Sequence, residues 1–279
     1  MGRLDRLRET CNRRYFETNR KTKVGSMNWT REHEIVALDL YCRIPFQKAN
    51  NSNKDIQHLA NLLGRTVNSV KMKIGNFGSF DPELKRLGIV GLAGTSHLDE
   101  DIWNEYYGHW DNLAYDAKQI LATLHQKPIE VEAEIEPQTL PQGKEREYIV
   151  KQRINQSFFR NAVLSSYSER CCITGINEPH LLEAAHIMSW KEDETNRTNP
   201  SNGLCMNALM HRAYDRMLIS VSPDFVICIS DKLLEGEAAN ERKLDFFRKV
   251  NGQMILKPNR FMPERDFLAQ HYDRFLHTL

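Results

Sequence analysis

Two histidines in the second half of the chain, His186 and His211, have the types and settings that suit hydrolytic chemistry. A neutral imidazole accepts a proton near neutral pH because its ordinary pKa is about 6.5. His186 closes a short apolar run, so we expect it at the end of a strand, where it could serve as a general base. Asn207, His211 and Asp215 recur at intervals of four residues. On a helix they would share one face, and such a face can hold a metal ion.

The residues around these histidines alternate between short apolar runs and polar stretches, which predicts strands, a loop and helices. In chain order the predicted elements are a helix at 148–167, a β-hairpin with strands at 171–174 and 181–188 and a turn at 175–179, a loop at 190–201, a helix from Asn202 to Asp215, and strand over 219–229 with a break at 222–224. This order would place a strand histidine opposite a helix histidine. His180, near the turn of the hairpin, is predicted to be exposed.

A strand that ends in Ala184-Ala185-His186-Ile187 and a helix that starts with Asn202-Gly203-Leu204 resemble the HNH, or ββα-metal, nuclease family. The likeness covers about residues 148–230 and is closest to a subgroup found in restriction-type endonucleases. It implies hydrolysis of phosphodiester bonds in double-stranded DNA with a divalent ion, Mg²⁺ or another such as Mn²⁺. The chemistry agrees, because this hydrolysis needs a base to take a proton from water and a cation to neutralise charge on the phosphate.

The resemblance implies a role for each polar residue of the motif. His186 is the general base, and Asn202 ties the loop backbone in place so that this imidazole faces the metal. His211 is the principal metal ligand. Asn207, which precedes it by one helical turn, is the second predicted ligand.

The sequence departs from the family pattern immediately before the base. Many members have an Asp or a His there as a further metal ligand, whereas this chain has Ala185, which cannot bind a cation. Glu183 and Asp215 are the candidates for additional ligands, with water and substrate oxygens in the remaining positions. The structural zinc ribbon of some relatives is not expected, because Thr174 stands three residues after Cys171.

The N-terminal part predicts three helices that are loosely similar to helix-turn-helix proteins of the Myb and homeodomain types. The first starts after Thr30, the second ends at Gly64, and the third starts after Thr66 with Val70, Ile74 and Phe77 facing inward. The outward face of the third would carry the DNA-binding side chains, which are Arg65, Asn68, Lys71 and Lys73. The alternative is an ordinary amphipathic helix with a solvated basic face.

These elements predict an α+β protein in which an all-α, helix-turn-helix-like domain precedes an HNH nuclease domain. The predicted units are a basic arm at 1–26, an α-helical DNA-recognition domain at 27–125, an acidic, proline-containing linker at 126–147, and the nuclease domain at 148–279. The arm need not be the native start, because Met27 could begin translation. The recognition domain is expected to end with an aromatic helix near 101–124. The alternating glutamates of the linker favour an extended, self-repelling connector.

The composition fits this division. A chain of 279 residues with 41% hydrophobic residues can fill two cores, and the net charge of +1 averages a basic leader with an acidic stretch. No run approaches the ~20 apolar residues of a membrane span, and the N-terminus does not resemble a secretory signal, so we expect a cytoplasmic protein. The six cysteines form no C-x-x-C pair and are expected to be free thiols.

The function that these features predict is a restriction or defence endonuclease, either sequence-specific or dependent on cytosine modification. One motif cuts one strand, so double-strand cleavage predicts a homodimer. Two alternatives stay open. The chain could be a DNA-binding regulator with a degenerate nuclease domain, for which Ala185 is the motivating residue. It could also be a weakly specific effector nuclease whose N-terminal domain senses a protein or a small signal.

Overall fold

The computed structural model describes residues 28–89, 94–235 and 241–278, and the predicted basic arm lies outside these ranges. The helices are α1 (Arg31–Arg43), α2 (Lys54–Leu62), α3 (Val67–Phe80), α4 (Pro82–Arg86), α5 (His97–Tyr106), α6 (Trp110–His125), α7 (Ile129–Glu132), α8 (Lys144–Ser166), α9 (Ala208–Asp215), α10 (Asp231–Glu235), α11 (Glu241–Val250) and α12 (Arg265–Leu276). The strands are β1 (Leu182–His186), β2 (Gly203–Asn207), β3 (Ile219–Val221) and β4 (Ile227–Ile229). The mixture of helices and small sheets agrees with the predicted α+β class. Every helix in the described ranges is too short or too polar to cross a lipid bilayer.

The first three helices form where the sequence predicts them. Thr30 caps α1 by accepting a hydrogen bond from the backbone N–H of His33. α2 is followed by Gly64, whose φ of +62° is the left-handed conformation that ends many helices. Thr66 caps α3 by accepting from the backbone N–H of Ser69. The predicted inward residues of α3 are buried, namely Val70, Ile74 and Phe77.

The aromatic segment forms two helices, α5 and α6, where the sequence predicts one helix near 101–124. The chain turns between them at Gly108, whose φ of +87° is strained for any residue with a side chain. α5 begins earlier than predicted because Ser96 and Asp99 form a capping box. The expectation of a single helix was therefore wrong.

The acidic segment 126–147 is folded against α6 and is not the extended connector that its composition predicts. It contains α7, and Ile135 is buried in the core formed by the first helices. Ion pairs reduce the repulsion between its glutamates, and they join Glu132 to His125 and Glu130 to Arg146, each at 2.8 Å. The conformation expected for this segment was wrong, whereas the domain boundaries around it stay a prediction.

α8 contributes side chains to two hydrophobic cores. Val150, Ile154 and Phe158 pack with the N-terminal helices. Phe159 and Val163 pack with the residues of the two sheets and the C-terminal helices. One rigid helix therefore joins the N-terminal core to the core that surrounds His186.

The strand that pairs with β1 is β2, and the predicted hairpin is not formed. β1 and β2 are antiparallel, with His186 opposite Gly203 and Leu182 opposite Asn207. Residues 171–174 form turns, and residues 203–207, which we expected to be helical, form β2. All five residues of β2 are buried. A short apolar run that is buried on both faces has no alternation to separate a strand from a buried helix, so periodicity misled the prediction.

The last strands form as the interrupted pattern at 219–229 predicts. β3 and β4 are antiparallel, with Ile219 opposite Ile229. α12 packs against β3, and its Leu268 is fully buried in the second core. This arrangement places the C-terminal helix beside α9 and the motif that contains His186.

Candidate active site

His186 is the last residue of β1, and three contacts fix its imidazole. Its Nε2 lies 2.9 Å from the carbonyl oxygen of Arg197 in the loop between β1 and β2. A carbonyl can only accept, so Nε2 carries the proton and Nδ1 keeps a lone pair. The ring stacks on Phe159 of α8, with centroids 3.8 Å apart and planes within 8°. Trp190 meets the ring edge-on at 5.6 Å.

The surroundings favour the neutral form of His186. Burial lowers the pKa of His186 below its ordinary value, since charging the ring would remove a cation from water. The bond to the Arg197 carbonyl acts in the opposite direction, His211 lowers the pKa and Asp215 raises it, but the net direction is downward. A neutral imidazole at physiological pH can accept a proton, as a general base must.

Asn202 holds the loop that orients His186. Its side chain is fully buried, and Oδ1 accepts a hydrogen bond from the backbone N–H of Met188 at 2.8 Å. Its Nδ2 donates to the carbonyls of Met188 and Asn196, both at 3.2 Å. The backbone N–H of Ile187 donates to the carbonyl of Asn202 at 2.9 Å. These bonds join the end of β1 to the loop that contains Arg197.

His211 lies on α9 between two carboxylates. Its Nδ1 is 2.5 Å from Oε2 of Glu183, and its Nε2 is 3.5 Å from Oδ2 of Asp215. The short contact indicates that Nδ1–H donates to Glu183. The lone pair of Nε2 then points toward Asp215. A carboxylate that holds one ring nitrogen in this way is typical of histidines that bind a metal through the other nitrogen.

The donor set at His211 and Asp215 fits a divalent ion with two protein ligands. Neighbouring ligands at ~2.1 Å from an octahedral ion lie roughly 3 Å apart, and the two donor atoms are separated by 3.5 Å. Within the described ranges no group of three or more His, Cys, Asp or Glu residues is arranged to hold a metal. Water and phosphate oxygens would therefore complete the coordination, as is usual for Mg²⁺.

Asn207 does not join this pair. It precedes α9 as the N-cap, and its Oδ1 accepts a hydrogen bond from the backbone N–H of Met210 at 3.0 Å. Its Nδ2 donates to Oγ1 of Thr174, also at 3.0 Å. The helical face that we expected it to share with His211 does not exist, because the preceding residues form β2. The structure therefore uses this buried amide to hold the 171–174 turns against α9.

Two cavities meet at His186. One has a volume of about 330 Å³, and the other has a volume of about 390 Å³. Both are lined by Ala184, His186 and Trp190. Arg160 and Glu183 line the smaller cavity, whereas the larger contains His211, Asp215, His271 and Arg274. His186, His211 and Asp215 thus line the same cavity.

Gly203 permits the close approach of α8 to the strand pair. A Cβ at this position would lie 2.4 Å from Cγ2 of Val163 and 2.9 Å from Cζ of Phe159. Both distances are too short for side-chain contacts, so an alanine here would force Val163 and Phe159 to shift. Because Gly203 is opposite His186, its missing side chain lets Phe159 stack on the imidazole.

The sequence pattern did not identify several residues that shape the site. In the sequence, Phe159 is one of two adjacent aromatic residues on the apolar face of a predicted helix, and nothing marks it as part of a site. Arg197 contributes a backbone carbonyl, which its residue type does not reveal. His271 of α12 stacks on Tyr214 of α9 at 3.7 Å and lies 2.9 Å from Oγ of Ser220. Burial, and after it the charge of Arg274, lowers the pKa of His271 to about 4. The neutral ring of His271 thus packs α12 against α9 through Tyr214.

The predicted DNA-binding face of α3 is only partly present. Lys73, expected on the outside, is buried and forms ion pairs with Glu34, at 2.8 Å, and with Asp99. The prediction for Lys73 was wrong because its carboxylate partners come from α1 and α5, which are remote in sequence. Arg65 lies over the ring of Trp29 at 4.1 Å. Of the predicted residues, Asn68 is exposed and Lys71 is half-buried.

A family model described as HNH endonuclease matches residues 171–222, which include His186, Asn202 and His211. No curated protein matches the chain. The match supports the HNH family for this part of the chain. An HNH endonuclease domain implies nuclease activity, binding to DNA and the general use of divalent metal ions.

Proposed function

We propose that this chain is a metal-dependent endonuclease that hydrolyses phosphodiester bonds in double-stranded DNA. The observation that supports it best is the orientation of His186. Its Nε2 is bound to a carbonyl, and its Nδ1 is the nitrogen left to accept a proton, beside the space that His211 and Asp215 border. The family match over the same residues adds independent support.

His186 acts as the general base in the proposed mechanism. A water molecule loses a proton to Nδ1 as its oxygen forms a bond to phosphorus, and the bond from phosphorus to the 3′-oxygen breaks in line. The Arg197 carbonyl, which accepts from Nε2–H, stabilises the imidazolium that forms. His211 and Asp215 would hold a divalent ion, Mg²⁺ or Mn²⁺, which would supply positive charge to the phosphate and the leaving oxygen when bound.

His211 and Glu183 have different parts in this proposal. His211 would hold the ion through Nε2, and Glu183 orients the ring through Nδ1–H instead of acting as a ligand. Asp215 takes the place of the ligand missing at Ala185. Ala185 itself is fully buried in the second core, so another residue on the cavity side has to supply the charge.

The biological role that we propose is restriction or defence, with a homodimer that cuts both strands. The N-terminal helices would read the DNA, by sequence or by cytosine modification, through Asn68 and Lys71. Two copies are needed because one His186 site attacks one strand. A cytoplasmic location fits the free thiols of the five described cysteines.

Two observations favour the alternatives. The metal ligands number two, and Ala185 stands where many relatives have a third, which favours a DNA-binding regulator with a degenerate nuclease domain. The burial of Lys73 and the packing of Arg65 on Trp29 leave α3 with a weaker basic face, which favours an effector nuclease whose N-terminal part senses another signal. Cleavage of cytosine-modified and unmodified genomic DNA, with the ends sequenced, distinguishes an N-terminal part that recognises DNA from one that senses another signal.

Replacement of the base tests the proposed activity. We expect His186→Ala to lower nicking of supercoiled plasmid about 10²- to 10⁴-fold in Mg²⁺ or Mn²⁺, since that is the usual contribution of a general base. His180→Ala is the matched control because His180 is an exposed histidine outside both cavities. Equal rates for His186→Ala and wild type on modified and unmodified DNA would exclude the enzyme and leave the regulator.

A further inference from the structure

The C-terminal helix α12 forms one wall of the candidate active site, although the family match ends before it, at residue 222. His271 fixes α12 to α9 through its stacking on Tyr214 at 3.7 Å, and to β3 through Ser220. Tyr214 lies on α9 beside Asp215. This packing determines where the next turn of α12, which contains Arg274, meets the cavity.

Arg274 borders the same cavity as His186, His211 and Asp215. Its Nη1 forms an ion pair with Oε2 of Glu192 at 2.7 Å, and its Nη2 lies 3.7 Å from the sulfur of Met188. Its Nε is buried and has no hydrogen-bond partner among the residues that the structure describes, so Nη1 and Nη2 are the nitrogens that can reach a ligand. The side chain is 35% exposed, so the guanidinium is held in place but still faces solvent.

The negative charges at this cavity indicate why a cation such as Arg274 would be needed there. The cavity is bordered by the carboxylate of Asp215, and Glu192 lies behind the guanidinium. A phosphate that enters would be repelled by these groups unless cations oppose them, and beside the proposed divalent ion at Asp215 the guanidinium of Arg274 is a second cation at this cavity. A guanidinium has five N–H donors in a planar fork, and one ion pair with Glu192 uses only part of this capacity. An arginine fork is well suited to bind a phosphate with two parallel hydrogen bonds.

We propose that Arg274 binds a phosphate of the DNA strand that is cut, at the scissile position or next to it, while Glu192 holds the guanidinium in the orientation for this contact. The proposal rests on the proposed endonuclease function, because that function places a DNA strand in the cavity. It adds a substrate-binding residue from outside the segment that the family model matches.

Four variants separate this role from a structural one. Arg274→Ala removes the guanidinium. Glu192→Gln removes the ion pair and keeps the guanidinium. Arg265→Ala removes a cation from the same helix, where Arg265 is exposed and faces Asp224 at 3.4 Å. Arg274→Lys keeps the charge without the fork and serves if the alanine variant does not fold by circular dichroism.

The experiment measures kcat/KM for nicking of a plasmid with Mg²⁺, and the salt dependence of binding to a DNA duplex with Ca²⁺ in place of Mg²⁺. We expect Arg274→Ala to lower kcat/KM about 10- to 100-fold, as for loss of hydrogen bonds to a charged group. The slope of log Kd against log salt should fall by about one, as for loss of one phosphate contact. Arg274→Lys and Glu192→Gln should each keep the slope and lose part of the rate, because each retains the cation but not the oriented fork, and Arg265→Ala should match wild type.

The outcomes are distinguishable. If Arg274→Ala matches Arg265→Ala in both measurements, Arg274 does not bind the substrate. If Glu192→Gln and Arg274→Ala lose rate and slope equally, the ion pair has only a structural role and the proposal is wrong. If wild type does not nick any DNA with any divalent ion, the endonuclease function fails, and the salt slope alone then decides whether Arg274 contacts DNA.

Discussion

In the imidazole of His186 only Nδ1 is left to accept a proton, because Nε2 is hydrogen-bonded and the ring packs against two aromatic side chains. Nε2 donates to the Arg197 carbonyl, one ring face stacks on Phe159, and Trp190 meets the ring edge. Rotation of the ring by half a turn would break the hydrogen bond, because Cε1 would then take the place of Nε2 opposite the Arg197 carbonyl. The side chain is therefore preorganised in one tautomer, so little rearrangement precedes proton transfer.

The pH dependence of the reaction should reflect the lowered pKa of His186. In the proposed mechanism the neutral ring is the active form, so activity should fall as pH decreases through the pKa of His186. Since burial lowers this pKa, we expect the acid limb of kcat/KM to have its midpoint below the ordinary value of about 6.5. The charged or titratable groups that border the ring's cavities are Glu183 on β1, Arg160 on α8, His211 and Asp215 on α9, and His271 and Arg274 on α12.

The measurement is kcat/KM for nicking between pH 5 and 8 at constant ionic strength and saturating Mg²⁺. His180→Ala should reproduce the wild-type curve because His180 is exposed and outside both cavities. An acid limb centred above pH 7 would argue against His186 as the base.

At this scale the sequence identified residue types but not their contacts. His186, Asn202 and His211 could be selected because their spacing resembles a known motif. The tautomer of His186 could not, since it depends on a carbonyl in the loop. The burial of Lys73 could not be predicted either, because a cation on the side of a helix looks solvated until carboxylates from other helices meet it.

Among the elements, the contact of α8 with β2 depends on the absence of a side chain at Gly203. We expect Gly203→Ala to lower the free energy of unfolding by about 1–3 kcal/mol, the usual range for overpacking. Nicking should also decrease, because the displacement of Phe159 removes the surface on which His186 stacks. Urea unfolding and the plasmid assay measure the two effects.

Gly94→Ala is the control for this substitution. A Cβ at Gly94 meets no atom of the described residues within 4 Å, and a surface substitution of this kind usually changes stability by less than about 0.5 kcal/mol. If Gly203→Ala is as stable and as active as Gly94→Ala, the close packing of α8 is not required.

The prediction of elements succeeded where local signals are strong and failed where burial is complete. α1, α2 and α3 have capping residues and amphipathic spacing that act within a few residues. β2 has neither a capping residue nor an amphipathic pattern, since all five of its residues are buried. The strand that pairs with β1 was therefore assigned to the wrong segment, 171–174. The hydrogen bond from the Cys172 N–H to the Cys205 carbonyl explains why residues 171–174 still lie beside this sheet.

At the scale of the whole molecule, Arg260 fastens the C-terminal part of the chain to α1. Its side chain is buried and donates to the carbonyls of Tyr41 and Ile44 at the end of α1, and to Oγ of Ser165. A cation at this end of a helix also opposes the partial negative charge of its last carbonyls. The N-terminal core is thus completed by residues from much later in the chain.

Replacement of Arg260 should destabilise the whole protein. We expect Arg260→Met to lower the free energy of unfolding by about 3 kcal/mol, because two buried carbonyls lose their donors. Unfolding should stay a single transition, since α8 and Phe261 belong to the core of the N-terminal helices. The measurement is denaturant unfolding monitored by tryptophan fluorescence and by far-ultraviolet circular dichroism.

Arg153→Met is the control, because Arg153 is exposed on α8. Two separate transitions in the wild type, or an Arg260→Met variant as stable as Arg153→Met, would show that the two parts fold independently. An isolated fragment of residues 27–125 should be less stable than the whole chain, since it would lack Val150, Ile154 and Phe158 of the N-terminal core.

The adjacent aromatic residues Phe158 and Phe159 face different cores from the same helix. Each residue of an α-helix advances about 100° around the axis and 1.5 Å along it. Insertion or deletion of a single residue in this part of α8 would rotate one core against the other by that angle, and both could not be repacked at once. We therefore expect the insertion or deletion of one residue in this part of α8 to disrupt at least one of the two cores, because the helix fixes the N-terminal core relative to the core that surrounds His186.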